Sequence, residues 1–302
     1  MDANRKIVQC VPNFSEGRDL KKIEEIVAPL RNREGFKLIS CEPDPSYNRT
    51  VVTLLGEPEV MIEPLLMFVS KAAELIDLNH HRGEHPRMGA VDVVPFVPIK
   101  NITMAECVTF ARRLGEQIAA RNQIPVFLYE EAASSPTRQN LADIRKGEFE
   151  GMREKIKRPE WRPDYGPAEI HPTAGAVAVG ARAPLIAYNI SLGTNDIGIA
   201  KEIAKTIRHS SGGFRYVKAG AARLEGRDIV QVTMNLTDYR YTAIYRVFEA
   251  VKAEAKRYGV AVLGSEIVGM LPLQAALDSL AYYLGIPELP AVKILETHLL
   301  GE

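Results

Sequence analysis

HHRGEHPRMGAVDVVPF, from His80 to Phe96, carries three of the six histidines in its first six residues. Arg82, Arg87, Glu84, two glycines and a proline share the window, and an apolar run opens at Ala90. A polar, titratable loop therefore leads directly into a strand. Pro86 pushes His85 away from helical dihedrals, so the loop does not continue a helix. The strand is flanked by two periodic segments, Glu59 to Leu78 and Thr103 to Asn122, that read as helices. Thr103 and Glu106 form a capping box at the start of the second.

Upstream, Ile7 to Val11, Phe36 to Cys41 and Thr50 to Leu55 read as strands, with a helix from Leu20 to Arg31 after the first. Pro125 to Tyr129 reads as a further strand. The order strand–helix–strand–strand–helix–strand is the split βαβ, ferredoxin-like arrangement. The second half repeats it in outline. Gly175 to Val179, Leu185 to Ile190, Phe214 to Val217, Ile229 to Asn235 and Val260 to Leu263 read as strands. Asp196 to His209, Tyr241 to Tyr258 and Leu273 to Tyr283 read as helices. HPRMGAVDV at His85 and HPTAGAVAV at His171 share the pattern HPxxGAVxV, and each opens a strand. This internal echo predicts two related units. The expected fold class is α/β, of the α+β kind: two similar ferredoxin-like split βαβ subdomains, residues 1–165 and 166–302, with helices covering the sheets. Between about residues 131 and 172 the periodicity dissolves into a short basic helix and proline-rich coil holding the only tryptophan, Trp161. This reads as a connection, and long ordered connections are where ligand-binding loops lie.

The 302 residues are 46% hydrophobic and 25% charged, the composition of a globular protein able to bury a real core. Lys plus Arg number 38 and Asp plus Glu number 38. Zero formal charge argues against a dedicated nucleic-acid binder. Three widely spaced cysteines, Cys10, Cys41 and Cys107, fit a reducing, cytoplasmic location rather than a disulfide framework. Neither a signal peptide nor a membrane span is expected.

Three readings compete for the histidine cluster. His81-Arg82-Gly83-Glu84-His85 spells H-x-x-E-H, an inverted zinc-protease motif. That chemistry needs both histidines on one helical face, which Gly83 and Pro86 oppose, and Arg82 and Arg87 repel a cation. No metal is therefore expected. A purely structural loop is the second reading. The third is acid/base catalysis, in which an imidazole relays a proton while arginines orient a carboxylate-bearing substrate.

CVPNFSEGR at Cys10, PDPSYNRTV at Pro43, HRGEHPRMGAVDVVPF at His81 and PDYGPAEIHPTAGA at Pro163 resemble the glutamate formiminotransferase family. The resemblance runs from about residue 5 to residue 286. It implies two subdomains side by side, the first carrying the catalytic histidine and the second completing a folate tunnel. It also implies homodimerisation and a tetrahydrofolate cosubstrate. The implied reaction moves the formimino group of N-formimino-L-glutamate to N5 of tetrahydrofolate, and a separate cyclodeaminase is a conceivable partner. The chain ends too early to hold a deaminase domain, so no ammonia-releasing step is expected of it.

The resemblance places the catalytic histidine at His81. The folate-binding stretch falls on Pro163, Asp164, Tyr165, Gly166, Pro167, Ala168, Glu169, Ile170 and His171, with Tyr165 a candidate to stack on the pteridine. Glu42 and Asp44 are candidates to support an imidazolium, although Asp44 between two prolines equally suits a turn. Asn13 and Ser15, just past the first strand, and Arg49, Arg82 and Arg87 are candidate substrate contacts. A formyl-transferring relative acting on N-formylglutamate or 5-formyltetrahydrofolate, and a folate-binding module without turnover, are the alternatives.

Overall fold

A computed structural model describes residues 5–224 and 228–298. The chain divides into two compact units, the first ending at Arg182 and the second beginning at Ala183.

The first unit opens with β1 (Ile7–Cys10), β2 (Asn13–Phe14) and α1 (Leu20–Val27), whose N-cap Asp19 accepts from the Lys21 and Lys22 N–H groups. β3 (Phe36–Asp44), β4 (Arg49–Gly56), α2 (Pro58–Leu75), β5 (Val91–Lys100), α3 (Met104–Asn122) and β6 (Val126–Glu130) follow. The Thr103–Glu106 capping box is present at α3. Then come α4 (Leu141–Arg145), α5 (Glu148–Lys155) and β7 (Val177–Ala181). β3 pairs with β4, β4 with β1 and β1 with β5, all antiparallel, which is the split βαβ core. β5, β7 and β6 extend it as parallel neighbours. The core beneath α1, α2 and α3 includes Phe14, Ile26, Leu54, Leu65, Phe68 and Phe96.

The division at Arg182 lies beyond the expected boundary at 165. The reason is β7: its apolar residues are wholly buried between β5 and β6, so residues 166–182 belong to the first unit's sheet. Val177–Ala181 and the next strand are thus separate strands of different sheets. The segment read as a connection also folds back on this unit. Ile144 of α4, Met152 of α5 and Ile156 just past it pack with Val93, Phe127 and Ala178 of the sheet.

The second unit contains β8 (Ile186–Leu192), α6 (Ile197–Ile207), β9 (Val217–Arg223), β10 (Val230–Leu236), α7 (Ile244–Arg257), β11 (Val262–Val268) and α8 (Leu273–Leu284). Its antiparallel order β11-β8-β10-β9 is again split βαβ. β9 begins where a strand ending at Val217 was expected. Residues 212–216 form a turn on the Gly212-Gly213 pair, and the strand runs through small residues whose β signal is weak. No helix among the described residues is long and apolar enough to cross a membrane.

Candidate functional site

α2 ends at Leu75, and residues 76–90 run back along the sheet as a loop before β5 begins. Two contacts allow only glycine. A Cβ on Gly83 would sit 2.4 Å from the Tyr47 carbonyl, and one on Gly89 would sit 1.9 Å from that of Ala176. The loop thereby lies directly on the β3–β4 turn and on the approach to β7. Asn48, in the left-handed region at φ 49, ties the turn to the loop. Its Nδ2 donates to the Arg82 carbonyl at 2.9 Å, and its Oδ1 accepts from the Gly17 N–H at 3.0 Å.

Two imidazoles are buried here. His81 is 7% exposed, with Nε2 2.8 Å from the Asn48 carbonyl oxygen. A carbonyl only accepts, so Nε2 carries the hydrogen and Nδ1 carries the lone pair. Nδ1 is buried without a hydrogen-bond partner. Burial lowers the His81 pKa and the Arg87 charge adds to this, partly offset by the Asn48 bond and Glu16.

His85 is 3% exposed, with Nε2 3.3 Å from Asp92 Oδ2. Arg49 Nη1 lies 3.4 Å from Nδ1. Guanidinium only donates, so Nδ1 is the acceptor and Nε2–H faces the carboxylate. Burial lowers the His85 pKa, against the pull of Asp92.

Asp92 is wholly buried. Consecutive residues Asn13 and Phe14 of β2 pair with Val93 and Val91, so Asp92 is the extra residue of a β-bulge. Bulges re-aim side chains and recur beside active sites. Oδ1 accepts from the Met88 N–H at 2.9 Å, and Oδ2 also meets the Arg145 guanidinium. Burial would raise its pKa, but Arg145, His85 and the Met88 N–H prevail and hold it at about 2. Arg145 ends α4, and Lys155 of α5 anchors that end by donating to the carbonyls of Asp143, Ile144 and Lys146. Its ammonium lies 3.9 Å from the Trp161 ring centroid, and burial brings its pKa down to about 8.

The other expected residues have defined places. Asp44 Oδ1 accepts from the Ser46 and Tyr47 N–H groups, making a turn, while Glu42 lies exposed on β3. The carboxylate that meets an imidazole is Asp92, not Glu42 or Asp44. Ser15 donates to the Gly89 carbonyl at 2.8 Å, and Asn13 Nδ2 donates to the Val11 carbonyl. Arg87 donates to Glu148 and to both oxygens of Glu150, while exposed Arg82 donates to the Asn79 and His81 carbonyls. In the Pro163–His171 stretch, Asp164 accepts from the Leu128 N–H at 2.7 Å and pairs with Arg138. Tyr165 bridges to Val126, Gly166 turns at φ 89, and His171 Nδ1 accepts from the Ala174 N–H. Ala168 and Glu169 are exposed.

Asn48, Asp92 and Arg145 were missed in the sequence. Asp92 had a signal: it is the one charged residue in the run Ala90–Val97, and a buried acid is seldom unpaired. The H-x-x-E-H spelling is not helical, and among the described residues no three His, Cys, Asp or Glu side chains gather as metal ligands.

Each of the two split βαβ units, the first with its buried imidazoles and bulged carboxylate, matches a described domain class. Residues 7–182 match the N-terminal subdomain of the formiminotransferase domain, and residues 187–297 match the formiminotransferase domain. The chain belongs to the formiminotransferase family. A glutamate formimidoyltransferase of Streptococcus pyogenes serotype M1 is 50% identical over 98% of this chain and 99% of its own. One of Thermoplasma acidophilum is 45% identical over 96% of each. A formimidoyltransferase-cyclodeaminase of Mus musculus is 42% identical over 92% of this chain but only 52% of its own.

Proposed function

We propose that the chain transfers the formimino group of N-formimino-L-glutamate to N5 of tetrahydrofolate, releasing L-glutamate. The observation that carries this reading is the Asp92–His85–Arg49 line at the heart of a chain aligned end to end with stand-alone glutamate formimidoyltransferases. N5 attacks the formimino carbon, and a tetrahedral intermediate forms. A proton must leave N5 and another must reach the departing glutamate nitrogen. One imidazole can do both, as base and then as acid. His85 is arranged for this: Asp92 holds its Nε2–H and stabilises the imidazolium, and Nδ1 receives and returns the proton. Arg49 beside Nδ1 can turn to a substrate carboxylate, which brings the donor to the base.

His81 is the second reading, favoured by its unpartnered Nδ1. The Pro163–His171 stretch is proposed to hold folate, with anchored Asp164, Tyr165 and His171 shaping a loop that presents Ala168 and Glu169. A cytoplasmic homodimer, working alongside a separate cyclodeaminase, belongs to the same proposal.

The test is a turnover assay. Chelator-treated protein is mixed with tetrahydrofolate and N-formiminoglutamate, then acidified, and methenyltetrahydrofolate absorbance is read. The expected result is signal unaffected by chelation, and faster with formiminoglutamate than with formylglutamate. Folate binding without product from either donor overturns the transferase reading in favour of a binding module. The pH dependence is also fixed in direction. Burial lowers the pKa of both imidazoles from 6.5, so each is a neutral base at pH 7. The rate at low substrate should hold steady down to pH 6.5 and fall only below it, as the base protonates. An acid limb centred above pH 6.5 contradicts this assignment.

A further inference from the structure

The polar contacts of α4 and α5 form a closed circuit with the histidine loop. α5 starts against that loop: Arg87, two residues beyond His85, donates to Glu148 and Glu150, and its carbonyl accepts from the Phe149 N–H at 3.0 Å. α5 then runs to Lys155, whose ammonium turns back onto α4. α4 ends at Arg145, and Arg145 reaches Asp92, the carboxylate that holds the His85 ring. Between the two helices the chain turns through consecutive left-handed residues, Gly147 at φ 95 and Glu148 at φ 54.

A helix of five residues cannot pair its own last carbonyls. At the end of α4, those of Asp143, Ile144 and Lys146 accept from the buried Lys155 ammonium, at 2.8 Å for Ile144 and 3.2 Å for Lys146. An ammonium has three N–H groups, so the cap uses all of them. The Trp161 ring face adds a cation–π contact. Arg145 depends on this cap. Its Nε is buried without a hydrogen-bond partner, so the guanidinium is placed by Asp92 and by the backbone that carries it. The charges that bear most on the His85 ring are Asp92, Arg145 and Arg49, with His81 a further neighbour. Arg145 and the ring share Asp92 Oδ2. The guanidinium therefore neutralises part of the charge that would otherwise hold a proton on His85.

We propose that Lys155 is a positioning residue for the reaction: by capping α4 it holds Arg145 on Asp92, and Arg145 in turn keeps the His85 imidazole neutral and able to take a proton. This rests on the reading of His85 as the base, but the placement is measurable without turnover.

The experiment is an NMR titration of the full chain labelled at histidine, with the His85 signal assigned from His85→Ala. The parent, Lys155→Met, Arg145→Met and the double variant are compared. A charge within about 4–6 Å moves a pKa by roughly one pH unit or more, so Arg145→Met should raise the His85 midpoint by about that much. Lys155→Met should raise it in the same direction by roughly half as much. The double variant should match Arg145→Met alone, because residues that act through one another are not additive. Lys155→Arg, which keeps a cation and its donors, should return the midpoint toward the parent's. In turnover, the acid limb should move to higher pH by the same interval as the midpoint. If folded Lys155→Met titrates like the parent, or if the two substitutions add, Lys155 does not act through Arg145 and the inference is wrong. Should Lys155→Met not fold, Lys155→Gln, which keeps two N–H donors, is read on the same terms. A shifted His85 midpoint with an unmoved acid limb leaves the Lys155 placement standing and removes His85 as the base.

Discussion

Replacing His85 by alanine lowers kcat by about 10²–10⁴-fold, the usual contribution of a positioned acid/base group. The protein should remain folded, because Asp92 keeps Arg145 and the Met88 N–H as partners when the ring is removed. The loss should fall on kcat rather than KM, since proton transfer is needed only as the tetrahedral intermediate forms and breaks down. The acid limb of the pH profile should vanish with the ring, and added imidazole should restore part of the rate. His81→Ala is the paired experiment. Its Nε2 hydrogen-bonds a backbone carbonyl rather than a carboxylate, so its removal should cost less than removal of His85. If instead His81→Ala abolishes turnover and His85→Ala does not, the free Nδ1 of His81 is the working nitrogen. Circular dichroism and thermal unfolding of both variants separate lost chemistry from lost structure.

Much of the frame was legible because it rests on local signals. The Thr103–Glu106 box marked the start of α3, and apolar periodicity over Glu59 to Leu78 marked α2. The second unit's shape followed from its element order, whereas the two HPxxGAVxV copies open β5 and β7, neighbouring strands of the first unit's sheet. The boundary was not legible, because the chain has its proline-rich disturbance before β7, while β7 pairs back into the first sheet. A parallel pairing leaves no turn signature in the sequence. The site divides in the same way. The loop at His80–Arg87 announced itself by residue type. Its supports did not, since Asn48, Asp92 and Arg145 come from a turn, a bulge and a five-residue helix separated by 44 and 53 positions. Glu42 and Asp44 are acids on the turn expected after the second strand, but Asp44 meets its own turn's N–H groups. Arg87, read as a substrate contact, already faces Glu148 and Glu150, which shifts attention to Arg49.

Asp92→Ala should destabilise the first unit by about 3–5 kcal/mol, the range for breaking one side of a buried ion pair. Alanine removes the acceptor of the Met88 N–H and the partner of both Arg145 and His85 at a position with no solvent exposure. That is a large part of the roughly 5–15 kcal/mol that holds a typical domain together. Asp92→Asn keeps the side chain's volume while discarding its charge, so it distinguishes electrostatics from cavity formation. The pH dependence gives an independent measure. The native carboxyl is held at about 2, below the 3.8 of a free aspartate. Its folded pKa is depressed, so the stabilisation is complete above about pH 4 and disappears as pH falls toward 2. The difference corresponds to about 2 kcal/mol at roughly 1.4 kcal/mol per pH unit. Urea unfolding followed from pH 6 to pH 2 should therefore show a steeper loss of stability for the parent protein than for Asp92→Asn between pH 4 and 2. Parallel curves, or an Asp92→Ala midpoint equal to the parent's, would mean that the Asp92–Arg145 pair contributes little to the fold. Catalysis should fail in Asp92→Asn even where the fold survives. The asparagine carries no charge to balance a histidinium, and its amide can present N–H to His85 Nε2–H where the ring needs an acceptor. The same carboxylate thus joins the two functions of the bulge, fastening α4 to the sheet through Arg145 and fixing the imidazole through Nε2–H.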